Sequence, residues 1–416
     1  MHEAAGRREE SRSPGAVPWR AAISAFCASL VGIGLARFAY TPLLPAIVGA
    51  HWFAPSAAAY LGAANLAGYL AGALLGRPLA ARFPAPLILR LMMALATAAF
   101  FACAFPVSFP WFFIWRFAAG LSGGTLMVLA APTVLPLVPA ARRGFAGGLI
   151  FMGVGVGVAA SGTLVPLLLR HGLTQTWLGL GALSCLLTLI AWGGWPKHAP
   201  APATAATHVH PKQTVMLRAL YLEYALNAAG LVPHMIFLVD FIARGLGQGL
   251  QTGAHYWVLF GLGAMAGPLL SGHLGDRIGF RPALRLAYLL QAGAVVLPAL
   301  DLGPLSLILS SFIVGAFTPG VVPLVLGRVH ELLPHDPDAQ KAAWSAATAS
   351  FAVLQAGAAY GMSFVFAHSG GDYPLLFVTG AAAMLLALAV DLIAALAANG
   401  VRRELLDTSG ECESVP

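Results

Sequence analysis

Residues 252–285 read TGAHYWVLFGLGAMAGPLLSGHLGDRIGFRPALR. The stretch 252–274 is apolar and carries no formal charge, and it is long enough to cross a bilayer as a helix. Gly275-Asp276-Arg277-Ile278-Gly279-Phe280-Arg281 then packs three charges into one short loop, and a second apolar run begins at 282. Such a switch describes two membrane helices joined by a turn held among lipid headgroups. In that turn Gly272 allows a close helix contact and Gly279 a tight bend. Asp276 can pair with an arginine or cap the next helix.

The rest of the chain repeats this pattern. Of 416 residues, 59% are hydrophobic and 9% charged, where a soluble domain carries about 25% charged residues. The mean hydropathy is +0.80. A soluble fold of this size could not hide so much apolar surface, so lipid must be the solvent. Twelve apolar runs are long enough to span, near 20–48, 56–76, 86–107, 109–138, 144–168, 175–195, 217–241, 252–274, 282–300, 304–330, 342–367 and 373–398. Pro42, Pro45, Pro132, Pro136, Pro233, Pro319 and Pro323 are expected kink points. The first nineteen residues are polar and basic, and the run after them is too long for a signal-peptide core, so it reads as a retained helix. Cys27, Cys103, Cys185 and Cys412 show no paired spacing for a disulfide or zinc site.

Placing both termini in the cytoplasm puts 19 of the 23 Lys and Arg on that side, among them Arg82, Arg277 and Arg281. Arg170 and Arg244 fall outside, and Arg37 and Arg116 within helices. The bias sets the topology expected of an inner-membrane protein with both termini cytoplasmic. It also accounts for the net charge of +7 without nucleic acid as a partner.

The Pro- and Ala-rich stretch 196–216 reads as a cytoplasmic linker between a bundle at 20–195 and another at 217–398, with cytoplasmic tails at 1–19 and 399–416, the latter polar and without structure from Arg402 onward. The halves repeat at an offset of 195: Gly68 with Gly263, Gly72 with Gly267, Leu79 with Leu274, Arg82 with Arg277, Arg90 with Arg285, Gly120 with Gly315 and Pro139 with Pro334. Parallel repeats of this kind are a transporter architecture with the substrate site between them.

The run Gly272-His273-Leu274-Gly275-Asp276-Arg277-Ile278-Gly279-Phe280-Arg281 resembles the G-x-L-x-D-R-x-G-x-R loop motif of the major facilitator superfamily. Its first-half copy, Arg77-Pro78-Leu79-Ala80-Ala81-Arg82-Phe83-Pro84, keeps Leu79 and Arg82 but has Ala81 in place of the acid. Within the superfamily, Gly32-Ile33-Gly34-Leu35-Ala36-Arg37-Phe38-Ala39-Tyr40-Thr41-Pro42-Leu43-Leu44-Pro45 resembles the first-helix signature of the YbfB/YjiJ-type branch. Arg116-Phe117-Ala118-Ala119-Gly120 is similar to the R-x-x-x-G motif of the fourth helix. Helix five has Gly153, Gly155 and Gly157 without the neighbouring Pro of many drug antiporters. The resemblance implies an all-α membrane fold of two pseudo-symmetric six-helix bundles, with helices one, four, seven and ten lining a central cavity.

Charged residues at membrane depth are costly and default to functional candidates. Arg37 and Arg116 can hold an anionic substrate by bidentate hydrogen bonds. Equally, they can form structural pairs or cap broken backbone near Pro42. Tyr40, Asn227, Thr318 and Gln355 are further substrate-binding candidates. Glu223, Asn227 and His234 are spaced by four and seven, which puts them on one face of helix seven. Glu223 is a candidate carrier of a coupling proton and His234 a candidate relay; helix-to-helix hydrogen bonding is the alternative. Asp240 is either a third proton-coupling group or a solvated residue near the outer end, and Asp391 reads as snorkelling. Thr318 beside Pro319-Gly320 offers a polar, bendable break in helix ten, and Gln355 and Tyr360 lie on helix eleven. The loop Gly272, Asp276, Arg277, Gly279, Arg281, with Arg82 in the first half, is the expected gate.

Enzyme-like strings are discounted. Gly120-Leu121-Ser122-Gly123-Gly124 has no strand before it, and Gly261-Leu262-Gly263-Ala264-Met265-Ala266 lies inside a helix. His330, Glu331, His335, Asp336 and Asp338 meet no known metal spacing. The expectation is therefore a monomeric secondary transporter, not an enzyme, without cofactor or metal. Its partners are the lipid bilayer, a small and anionic solute, and protons as the coupling ion. An exporter of amphipathic compounds, with Phe38, Tyr40, Phe117 and Trp344 as aromatic walls, is the alternative, followed by a membrane-embedded sensor or enzyme.

Overall fold

The computed structural model describes residues 18–138, 143–196, 211–334 and 336–411. The 1–19 tail, linker residues 197–210, His335 and Cys412 thus lie wholly or largely outside the described residues, while 211–216, expected as the end of the linker, are already helical, in a helix that starts at Pro211. Twelve helices are long and apolar enough to span: α1 Trp19–Gly49, α2 Pro55–Arg82, α3 Ala85–Cys103, α4 Phe109–Leu137, α5 Ala146–Leu169, α6 Leu173–Trp192, α7 Val215–Gly245, α8 Gly249–Ile278, α9 Phe280–Leu300, α10 Pro304–Leu332, α11 Ala342–His368 and α12 Tyr373–Ala397. No strand occurs among the described residues.

Helix starts follow from local chemistry. Pro stands in the first turn of α2, α3, α4 and α10, where its missing N–H costs nothing. Ser108 caps α4 by accepting from the Trp111 amide at 3.2 Å. Gly279, at φ +86°, makes the expected bend between α8 and α9.

The helical backbone outruns the apolar runs. It continues past 76 to Arg82 in α2, and past 398 to Glu411 in α12, where a tail without structure was expected. Hydropathy marks the lipid-solvated length, whereas Arg402, Arg403, Glu404, Leu405 and Leu406 are all good helix formers.

Helices α1 and α7 depart from the regular α-helical pattern. The first turns π-helical over Leu30–Leu35 and continues through hydrogen-bonded turns at 36–39, and the second is π-helical over Pro233–Phe237 and Phe241–Gly245. Such turns concentrate at functional positions. Pro136 sits in a 3-10 turn that ends α4. Helix α10, by contrast, stays α-helical through Pro319 and Pro323, so the expected break at Pro319-Gly320 does not form. Gly320 packs closely on α8 instead: a Cβ there would lie 2.7 Å from Ser271 Oγ.

The 195-residue repeat recurs in the contacts. In the first half, a Cβ on Gly68, Gly72 or Gly120 would come within about 2 Å of the carbonyls of Phe117, Leu121 and Asn65. In the second half, the same is true of Gly263, Gly267 and Gly315 against Phe312, Ala316 and Phe260, every partner again 195 residues on. Small residues at these crossings let α2 meet α4, and α8 meet α10, backbone to backbone. Gly261 likewise packs on Ala159 of α5, confirming its string as a packing motif. The two halves meet along α5 with α8 and α2 with α11.

Gly272 departs from expectation: nothing lies within 4 Å of a Cβ placed there, so it makes no close contact. Gly267→Ala would set a Cβ 1.7 Å from the Ala316 carbonyl and force the helices apart, costing about 1–3 kcal/mol or more. The expected result is a melting temperature lowered by several degrees in Gly267→Ala and unchanged in Gly272→Ala. Equal melting of both variants would contradict this packing.

The apolar core is asymmetric along the membrane normal. At the end where α7 and α8 join, one cluster runs through both halves, linking Leu43 and Leu61 to Ile236, Trp257, Phe366 and Phe377. At the opposite end, which carries Arg82, Arg90, Arg218, Arg277, Arg281 and Arg285, the second half keeps a cluster of its own around Tyr288, Leu324 and Ala347. The buried residues through which that first cluster joins the two halves thus lie toward the far end.

Candidate functional site

The irregular stretch of α1 leaves the Ala36 carbonyl outside regular helix, and two side chains answer it. Arg116 of α4 donates from Nη1 at 2.9 Å, and Asn65 of α2 donates from Nδ2 at 3.4 Å and also to the Arg116 carbonyl at 3.1 Å. The Arg116 guanidinium lies 4.3 Å over the Tyr40 ring, whose hydroxyl donates to the Ala58 carbonyl at 2.7 Å. One residue along that stretch, Arg37 reaches across to the other half. Its Nη2 donates to Gln355 Oε1 of α11 at 2.5 Å and lies 3.7 Å from Met235 Sδ of α7. Its guanidinium stacks on Tyr69 at 4.8 Å and Phe38 at 5.2 Å. Thr41 donates to the Met235 carbonyl, joining the two irregular helices directly.

These residues share a cavity lined by Arg37, Tyr40, Thr41, Asn65, Arg116 and Met235. Its volume is about 10 Å³, room for roughly one water. Arg37 is half-buried and Arg116 is 3% exposed, yet neither forms an ion pair among the described residues. The reason is written in the sequence: no Asp or Glu occurs between residues 11 and 222. The first half therefore places two guanidinium groups at membrane depth without a carboxylate of its own.

The structure thus brings together Arg37, Tyr40, Arg116 and Gln355, and adds Asn65, Tyr69 and Met235, which sequence reading had passed over. A lone Asn in the run 56–76 was the available signal. Arg116 also serves as a cap on irregular backbone, in line with its alternative reading.

Other candidates face elsewhere. Asn227 donates to Gln291 of α9 at 3.1 Å, and His234 Nε2 meets Ser310 Oγ of α10 at 2.7 Å, with its ring edge-on to Phe377 of α12. The polar face of α7 points into its own bundle, not into the seam. Thr318 donates to its own helix at Val314. Trp344 stacks with Tyr224 at 6.4 Å on the basic side.

Three carboxyls lie more than one turn from the end of a span: Glu223, Asp240 and Asp391. Asp240 is not solvated; it is fully buried, paired with Arg244 through both oxygens, and accepts from Tyr373 at 2.6 Å. Asp391 does not snorkel; it is 5% exposed and binds Arg281 at 2.9 Å together with Arg285. Glu223, 4% exposed, has no hydrogen bond or ion pair among the described residues, although Arg281, Arg285, Arg328, Asp391 and Tyr288 are its neighbours.

The expected loop shrinks to Gly279 between α8 and α9: Asp276 and Arg277 stand in the last turn of α8 and are exposed, as is Arg82 at the end of α2. The α9 start is capped by Glu331 of α10 instead of Asp276: Glu331 accepts from the Phe280 amide at 3.1 Å and from Arg328 at 2.8 Å. Of the expected gating residues, Arg281, in the first turn of α9, is the one engaged with the membrane region, through Asp391. Asp391→Ala would strand two arginines that are a quarter to a third exposed, and the expected loss is about 1–3 kcal/mol, tempered by their access to water. Thermal unfolding in detergent checks it, and an unchanged melting temperature would make the pair incidental.

The profile of the family described as "Uncharacterised MFS-type transporter YbfB" matches residues 29–392. A chloramphenicol resistance protein of Streptomyces lividans is 31% identical over 277 residues, covering 63% of this chain and 68% of that protein. In fold, the chain is similar to the xylose transporter XylE from E. coli in a partially occluded inward open conformation, with TM-score 0.68 at 16% identity over 89% of this chain and 96% of that one. A D-xylose-proton symporter superposes with TM-score 0.71 at 17% identity, over 90% and 97%.

Proposed function

The chain belongs to the YbfB-type family of major facilitator transporters, and from that membership we propose that it is a secondary active carrier of a small organic anion, working by alternating access. The observation that carries the anion is the charge balance of the seam. Arg37 bonds across the halves to Gln355, Arg116 lines the same cavity, and no acid neutralises either. A buried cation without a partner is costly, and an arriving carboxylate supplies the missing charge in the geometry that guanidinium binds best.

The basic end is the cytoplasmic one on the positive-inside argument, in the inner membrane. The core shared by both halves at the far end reads as the closed outer side of a carrier that faces the cytoplasm. In that state Arg37–Gln355 and Thr41–Met235 belong to the closed outer gate. Opening outward would separate these pairs and release Arg37 to a substrate. Protons are the coupling ion in this reading, with Glu223 as their carrier because its carboxyl is the one left unpaired.

A second reading, export of an aromatic, drug-like compound, is favoured by the chloramphenicol resistance relative and by Phe38 packed on Trp257 and Phe260 in the seam. Melting of the purified protein in detergent separates the two, because specific binding raises the melting temperature by mass action. The expected result is a saturable rise with small carboxylates and none with neutral aromatic compounds. A rise with the aromatics alone would replace the carrier reading with the exporter.

A further inference from the structure

Three polar atoms in the seam lack partners. Arg37 Nε, Arg116 Nε and Asn65 Oδ1 are buried and form no hydrogen bond among the described residues, and all three residues line one cavity. Asn65 is 1% exposed. Its amide cannot be turned around, since Nδ2 donates to two carbonyls, those of Ala36 and Arg116, which an oxygen could not do. Once the seam opens beyond its present volume of about 10 Å³, what the site presents to a ligand is two guanidinium groups and one fixed acceptor, since Arg37, Arg116 and Asn65 all belong to the first half.

Each ligand class meets this set differently. A plain carboxylate satisfies the arginines and leaves Asn65 Oδ1 buried and unpaired, which is the costly half of a lost hydrogen bond. A sulfate brings only acceptor oxygens toward an acceptor. An amino acid offers a donor, but its ammonium would sit beside two guanidinium groups in a half-molecule without acids. A carboxylate bearing a hydroxyl meets all three atoms.

We infer that the substrate is a small hydroxycarboxylate, its carboxylate held by Arg37 and Arg116 and its hydroxyl donating to Asn65 Oδ1. This rests on the organic-anion reading above. Asn65 is then the residue that separates hydroxylated from plain acids. A site built to receive a hydroxyl rejects the analogue without one, because its own buried group is left unpaired.

The test is binding to purified full-length protein in detergent, by calorimetry or thermal shift, with two matched pairs: lactate against propionate and malate against succinate. Alanine is the zwitterionic control. The expected result is a hydroxyl advantage of at least about tenfold in one pair, alanine weaker than lactate, and an advantage reduced to about one in Asn65→Leu. Equal affinity within both pairs on the wild type overturns the inference and leaves the anion carrier standing, and this comparison holds even if Asn65→Leu does not fold. An advantage that persists in a folded Asn65→Leu also overturns it. Failure of every carboxylate to bind removes the anion reading itself.

Discussion

Arg37→Ala is expected to lower substrate uptake into proteoliposomes at least about 100-fold, the loss of a bidentate charged contact in a dry site, while the protein stays folded. The stability half of the expectation is as informative as the first. Removing a half-buried cation that has no carboxylate partner relieves a desolvation cost, which offsets the loss of the bonds to Gln355 and Met235 and of the ring contacts with Tyr69 and Phe38. Arg37→Lys keeps the charge but not the planar fork and should fall between wild type and Ala. Arg116→Ala should behave differently, because Arg116 also holds the Ala36 carbonyl in the irregular stretch of α1. It is expected to lose about 1–3 kcal/mol of stability together with transport. Uptake that survives Arg37→Ala would make Arg37 a gate latch and move the substrate elsewhere.

Glu223→Gln is expected to abolish accumulation driven by a pH gradient while substrate counterflow, which needs no net proton movement, persists. Glutamine keeps the shape of the side chain and cannot release a proton. The choice of residue follows by elimination among deep carboxyls. Asp240 is locked to Arg244 and Tyr373, and Asp391 to Arg281 and Arg285. The groups that bear on Glu223 are Asp391 from α12, Arg281, Arg285 and Tyr288 from α9, and Arg328 from α10. Its charge is thus coupled to the same arginines that tie the junction between α8 and α9 to the membrane region. Gradient-driven uptake that survives in Glu223→Gln would assign Glu223 a structural role. Coupling would then have to be sought at His234 or in another ion.

The two proposals place substrate and proton in different parts of the molecule. The arginines lie in the first half and at the seam, and Glu223 lies inside the second bundle. Communication between them would pass along α7, which carries Glu223 toward its basic end and Met235, the contact of Arg37 and Thr41, within its π-helical turn Pro233–Phe237.

Much of this was legible in one dimension. Apolar runs against a 9% charged background made the solvent lipid, and their number made the helix count, because each span satisfies its backbone internally and is read without its neighbours. The 195-residue repeat and the loop at 272–281 supplied the pseudo-symmetry and the family. Arg37 and Arg116 stood out as charges at depth, and the lack of acids between residues 11 and 222 was there to be seen.

What spacing could not supply was direction. Glu223, Asn227 and His234 share a face of α7 by periodicity, but the face turns toward Gln291 and Ser310, because the rotation of a membrane helix is decided by how its neighbours pack. Asp240 and Asp391 looked wet at the helix ends and proved to be ion-paired, since hydropathy cannot see a partner 106 residues away such as Arg285. Asn65 gained its role only from a turn at 36–39 that freed the Ala36 carbonyl. Composition and period report what each segment needs from its solvent. Which polar groups then meet inside is settled by the close approach of small residues and irregular helices, and that is a property of the packed molecule alone.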